Sequence, residues 1–182
     1  QTDNPSRICR SYLSPHVNLA SRLEAATKQY GTEILISEDA VALMSDCAQS
    51  QVRLLDRVTV KGSKKPIELY TFDVPSLQCV GGTLPDDIST DVTATEIFFQ
   101  DFAPKYDQEF RKVWDSAVYM YIGGQDGSKA NWKVAKTLLD GLQQAYPDDG
   151  PTKVLLNVIQ GLSDSEGNAP EDWRGYRALT DK

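Results

Sequence analysis

Apolar residues recur at three-and-four spacing in some stretches and cluster in short runs in others, and this pattern resolves the chain into helices and strands. Ser14 followed by Pro15 predicts a helix start, with serine as N-cap and proline in the first helical position. "HVNLASRLEAATKQY" continues that helix to Gly31, a natural C-terminal stop. Its Glu24 and Lys28 stand four apart, a pair worth about 0.2 to 0.5 kcal/mol. "ICRSYL" predicts a short strand before it and "EILIS" a brief buried strand after it. "SEDAVALMSDCA" predicts one helix capped by Ser37, with acidic residues in its first turn where the helix dipole favours them. "QVRLLDRVTVKG" and "PIELYTFDV" flank "GSKKP" and predict a hairpin with a basic tip.

Strand, helix, strand, helix and hairpin make an α+β unit with helices packed on a largely antiparallel sheet. So small a sheet stands poorly alone, and an N-terminal half supplying further strands is expected. No initiating Met precedes the first strand-like segment, which fits a piece cut from something longer. From Val74 to Val92 the run "VPSLQCVGGTLPDDISTDV" lacks apolar periodicity and reads as a linker. Helical spacing then returns. Trp114, Ala117, Val118 and Tyr121 share one face, as do Trp132, Ala135, Leu138, Leu139 and Leu142, and "PTKVLLNVIQGL" adds a third helix. The expected division is 1–74, a linker over 75–92, and a small all-α helical-hairpin module over 93–182. One helical pair cannot bury its own face, so the module must lean on the first part, on the third helix or on another chain.

Charge sharpens the division. Up to Val80 there are nine Lys plus Arg against nine Asp plus Glu, and from Gly81 onward ten against seventeen, so the net charge of -7 lies in the second part. An acidic balance argues against a nucleic-acid partner, which needs clustered cations to displace counterions. Nor do basic residues interleave with the tryptophans and tyrosines of the tail, which read as core packing rather than a base-stacking platform. Cys9, Cys47 and Cys79 are odd in number and widely spaced, which fits idle thiols in a reducing compartment better than a disulfide framework or a zinc site. No run of eighteen apolar residues predicts a membrane span. His16, the only histidine, stands in a first helical turn without a companion and reads as helix-start packing.

The segments "VNLASRLEAATKQYG", "ILIS" and "RLLDRVTVKGSKKPIELYTFDV", in that order and spacing, resemble the class III nucleotidyl cyclases, the adenylate and guanylate cyclases. The likeness runs from about Ser11 to Val74. It implies the C-terminal part of a ferredoxin-like cyclase domain. It also implies that Asn18 orients the ribose, that Arg22 stabilises charge on the triphosphate as the 3'-oxygen attacks, and that Lys61 binds the outer phosphates. Elementary geometry agrees with the first pair: residues four apart on a helix share a face, and a planar guanidinium presents paired donors to phosphate oxygens. Taken without the flanking segments, the same two residues would read as solvated helix surface, Lys61 as a hairpin-edge charge, and "GSKKP" as a solvated turn. Ser11 falls at the family's purine-selecting position, where a hydroxyl favours adenine, and hence ATP over GTP.

The resemblance further implies Mg or Mn ions, held by two aspartates on strands upstream of this segment, so that no metal ligand is expected in this chain. The lysine that assists adenine recognition is missing for the same reason. A half-site of this kind implies a second cyclase domain, as homodimer or pseudo-heterodimer, and little activity for this piece alone. The order Trp, Ala, Tyr, Gly, then Ala, Leu and a closing Pro147 resembles one tetratricopeptide repeat, which implies a protein partner for the tail. The expected activity is conversion of ATP to cyclic AMP and pyrophosphate at the cytoplasmic side of a parent that is membrane-anchored or ciliary. The rival reading is a catalytically inactive cyclase-homology domain serving as scaffold or regulatory subunit of a larger assembly. In a third, the cyclase-like part is incidental to a tetratricopeptide-like adaptor.

Overall fold

A computed structural model describes residues 15–60, 65–73, 105–123 and 129–179. Helix α1, Pro15–Tyr30, forms where the sequence places it, and Gly31 ends it in the left-handed region at φ 63°. Its buried face carries Leu23, Ala26 and Tyr30, with Leu19 half-buried one turn earlier. The expected strand "ICRSYL" and the Ser14 cap lie outside the described residues.

The next segment departs from expectation. "EILIS" pairs only over β1, Ile36–Ser37. In place of one helix there are two, α2 at Glu38–Val41 and α3 at Asp46–Gln51. Ser37 precedes α2 without a side-chain cap bond, whereas the Ser45 hydroxyl accepts from the Ala48 N–H and restarts the helix as α3. Neither short helix buries a residue, so no core contact holds the run together, and Ser45 competes successfully for the backbone.

Strands β2, Val52–Thr59, and β3, Ile67–Phe72, form the expected antiparallel hairpin, in register from Val52 opposite Phe72 to Val58 opposite Ile67. Its tip, residues 61–64, lies outside the described residues. A register shift between Leu54 and Asp56 interrupts the alternation, so that Leu55 and Asp56 are both fully buried. Strand β4, Arg177–Ala178, returns from the far end of the chain to pair parallel with β2, opposite Val58 and Thr59. Among the described residues the result is an α+β fold whose four-stranded sheet, in the order β1-β3-β2-β4, is mixed rather than wholly antiparallel. The stretch expected to be all helical thus also supplies a strand. Two residues in non-local parallel pairing leave no periodic trace in a sequence.

Between them lie α4 at Gln108–Ile122, α5 at Trp132–Ala145 and α6 at Gly150–Leu162. Side chains of Asp107, Asn131 and Asp149 cap the three by accepting from Phe110, Val134 and Thr152 N–H groups. The residues expected on one face of each helix are buried together, Trp114, Ala117, Val118 and Tyr121 against Trp132, Ala135, Leu139 and Leu142, with Leu138 half-buried. This pair leans on α6 and on β2, so one core joins Leu55, Val58 and Leu69 of the sheet to the tail helices. Trp173 closes the far end, edge-on to Trp132 at 4.9 Å, its indole N–H donating to the Tyr121 carbonyl at 3.1 Å.

Donors from the tail meet the outer edge of β2 at two points, the Trp114 indole N–H reaching the Leu54 carbonyl at 2.7 Å and the Leu179 N–H reaching Thr59 at 2.9 Å, and just before the strand Arg111 reaches the Gln51 carbonyl at 2.9 Å. No helix among the described residues is long and apolar enough to cross a membrane.

Candidate functional site

The core face of α1 fixes what its other faces can do. With Leu23, Ala26 and Tyr30 turned inward, Asn18 is exposed and Arg22 half-buried one turn further along. Residues four apart lie one above the other, so the amide and the guanidinium occupy the same flank of the helix. His16 and Val17 are exposed in the first turn, so the packing role expected of His16 is not seen. Ser11 and Lys61, the other two residues singled out in the sequence, lie outside the described residues. Of the four, the structure describes Asn18 and Arg22, on one flank of α1.

Sequence reasoning missed a second set of polar residues, all at the junction of β2 with the tail. Arg53 is buried, and its two terminal nitrogens donate to Asp149 at 2.9 and 3.3 Å and to Asp73 at 2.8 Å. Its guanidinium also lies against the rings of Trp114, Tyr106 and Phe110, with centroids 4.5 to 5.1 Å away. Asp149 accepts in addition from the Tyr106 hydroxyl at 2.9 Å and from Thr152, whose hydroxyl and N–H lie at 2.5 and 3.0 Å. Burial alone would raise this carboxyl, but the bonds and charge of Arg53, with those of Thr152 and Tyr106, hold it below the usual carboxylate range. For Arg53 burial opposes the charge, and Asp149 and Asp73 overcome it, raising the guanidinium further.

Three residues on, the register shift turns Asp56 inward, where it is fully buried. The Tyr30 hydroxyl donates to it at 2.7 Å, Arg177 Nε at 2.8 Å, and the Arg57 N–H at 2.7 Å. Arg177 also donates through its other nitrogen to the Tyr30 oxygen at 2.8 Å, closing a triangle of three side chains. Burial lifts Asp56 above its ordinary range despite these donors. Arg177 is held charged by Asp56, with Tyr30 and Tyr121 adding to it, against the opposing effect of burial. A sequence signal for both networks did exist: Arg53 and Asp56 stand beside the apolar residues of β2, and a charge inside a buried strand requires a partner.

Two adjoining clefts of about 480 Å³ each flank this junction, both bounded by Arg57, Ile122 and Gly123; Lys129, Arg174 and Trp173 line one, Glu68 and Tyr119 the other. No group of three or more His, Cys, Asp or Glu side chains among the described residues converges into a metal site. The described residues thus offer no set that would hold the ions the sequence resemblance implies, and no step through a metal is derived from them.

Known proteins share a segment with this chain. It is 44% identical over 66 residues to a protein of Anabaena cylindrica named "Adenylate cyclase", a region making up 36% of this chain and 13% of that protein. Over 66 residues it is 36% identical to "Adenylate cyclase, terminal-differentiation specific" of Dictyostelium discoideum, again 36% of this chain and 3% of the relative. The chain thus carries a cyclase-related segment, and it spans only a small part of the length of either relative. No family model matches the chain, and no solved structure matches it.

Proposed function

We propose that this chain is the C-terminal part of a class III adenylate cyclase, joined to a C-terminal tail that contributes α4, α5, α6 and β4. The observation that carries the reading is the 44% identity to an adenylate cyclase over 66 residues. The shared flank of Asn18 and Arg22 supports it.

In this reading ATP closes on itself. The 3'-oxygen attacks the α-phosphorus, the bond to the β-phosphate bridging oxygen breaks, and pyrophosphate leaves. Asn18 holds the ribose so that the 3'-oxygen lies in line, and Arg22 donates to the phosphate oxygens that gain charge in the transition state. Lys61 binds the outer phosphates as a point charge, and Ser11 reads the adenine. A second cyclase domain completes the site, and the metal ions come with ligands outside the described residues. The tail has a docking or regulatory role.

The test is cyclic AMP formation by the full-length protein with ATP and Mn²⁺. Arg22→Ala is expected to lower turnover about 100- to 1000-fold, the usual loss for one preorganised charge-stabilising donor. Unchanged turnover in that variant removes Arg22 from the mechanism. A folded full-length protein that forms no cyclic AMP returns the chain to the scaffold reading.

A further inference from the structure

The triangle of Tyr30, Asp56 and Arg177 joins three parts of the chain that are remote in sequence, and one corner of it is the last residue of α1. We infer that Arg177, in the returning strand β4, is a positioning residue for the cyclase site: through Tyr30 and Asp56 it fixes the C-terminal end of α1 and thereby the direction of the helix that presents Asn18 and Arg22. The inference rests on the cyclase reading given above and deepens it by giving the tail a definite part in the same site.

Three observations meet at this one helix end. Tyr30 is fully buried, donates to Asp56 at 2.7 Å and accepts from Arg177 at 2.8 Å, so its hydroxyl is held from both sides. Arg177 engages Asp56 at the same time through Nε at 2.8 Å, a two-pronged grip that an ammonium group could not reproduce. The start of α6 closes the remaining side. Gly150 lies so near that a Cβ there would stand 2.3 Å from the Tyr30 carbonyl oxygen and 2.9 Å from Gly31 Cα. Strand β2, strand β4 and helix α6 thus hold the end of α1 together, and two of the three belong to the tail.

The lever arm makes this matter for chemistry. At 1.5 Å rise per residue, Arg22 lies about 12 Å and Asn18 about 18 Å along the axis from Tyr30. A tilt of about 5° at the held end therefore displaces Asn18 by about 1.5 Å, and a misplacement near 1 Å costs on the order of 100-fold in rate. Arg177 lies at the end of the helix opposite Asn18, and its strand also pairs with β2 at Val58 and Thr59, so amide exchange at the end of α1 is the readout that separates the route through α1 from one through β2.

The experiment uses the full-length protein with Tyr30→Phe, which keeps the ring and removes the bridging hydroxyl, and Arg177→Gln, which removes the grip. Amide exchange and steady-state cyclase kinetics are measured on both. Expected are exchange at least tenfold faster across residues 26–31 with α4 and α5 unchanged, and turnover about 10- to 100-fold lower with KM for ATP within about twofold. Should Arg177→Gln fail to fold, the milder Tyr30→Phe decides alone. Exchange that is unchanged at the end of α1, or faster uniformly over the fold, overturns the inference. So does normal turnover in these variants when Arg22→Ala abolishes it, a result that leaves the cyclase reading standing. A wild-type protein without cyclase activity instead brings down both.

Discussion

Arg53 and Asp149, 96 positions apart, meet through two hydrogen bonds inside the protein, and the same arginine lies 4.5 Å from the ring of Trp114. Strand β2 is thereby tied to the cap of α6. Removing Arg53 takes the counter-charge from buried Asp149, and removing Asp149 leaves Arg53 with Asp73 as its counter-charge, so Arg53→Ala should cost about 3 to 5 kcal/mol in urea denaturation and Asp149→Ala less. In a double-mutant cycle the two losses should fall well short of adding. Additivity within about 0.5 kcal/mol would show that the pair contributes nothing as a pair.

Acid should act through Asp149. Its folded carboxyl titrates below the ordinary unfolded value of about 3.9, so its contribution is complete above that value and is lost as pH falls through the lower folded one. Stability should therefore decline below about pH 4, and Asp149→Asn should flatten that part of the curve. An identical acid limb in wild type and variant would assign the effect to other carboxylates.

Two glycines offer opposite outcomes from the same substitution. Gly150→Ala forces a Cβ against the Tyr30 carbonyl and should cost about 1 to 3 kcal/mol or more, because backbone on both sides must move. Gly141→Ala, in the interior of α5 with nothing within 4 Å, should stabilise by about 1 kcal/mol through helix propensity. Thermal melts of the two variants should shift in opposite directions.

Trp114→Phe keeps most of the packing and removes the indole N–H that the Leu54 carbonyl accepts from at 2.7 Å. An acceptor left unsatisfied beside the register shift should cost about 1 to 3 kcal/mol, with faster exchange along β2 than along α5. Exchange altered equally in both would mean that ring volume, not the bond, is what the tryptophan supplies.

Local chemistry was legible in the sequence wherever short-range rules suffice. The Gly31 stop, the hairpin, and the aromatic faces of α4 and α5 followed from spacing and turn residues. The single helix expected over 37–48 failed because two serines competed as caps and no buried side chain decided between them. The networks of Arg53 and Asp56 went unread for a different reason: their partners lie 96 and 121 positions away, where no window of periodicity reaches. At the candidate site, the pairing of Asn18 and Arg22 on one flank followed from helical spacing. Which elements hold that helix did not.

The donors along β2 have a consequence for how the protein behaves in company. A bare row of strand carbonyls invites a neighbouring molecule to add its own strand, and the sheet then grows from copy to copy. Here an indole and a returning main-chain amide engage that row, and an arginine engages the carbonyl just before it. Cutting the chain before Lys105 would uncover it, and the shortened protein should form concentration-dependent aggregates.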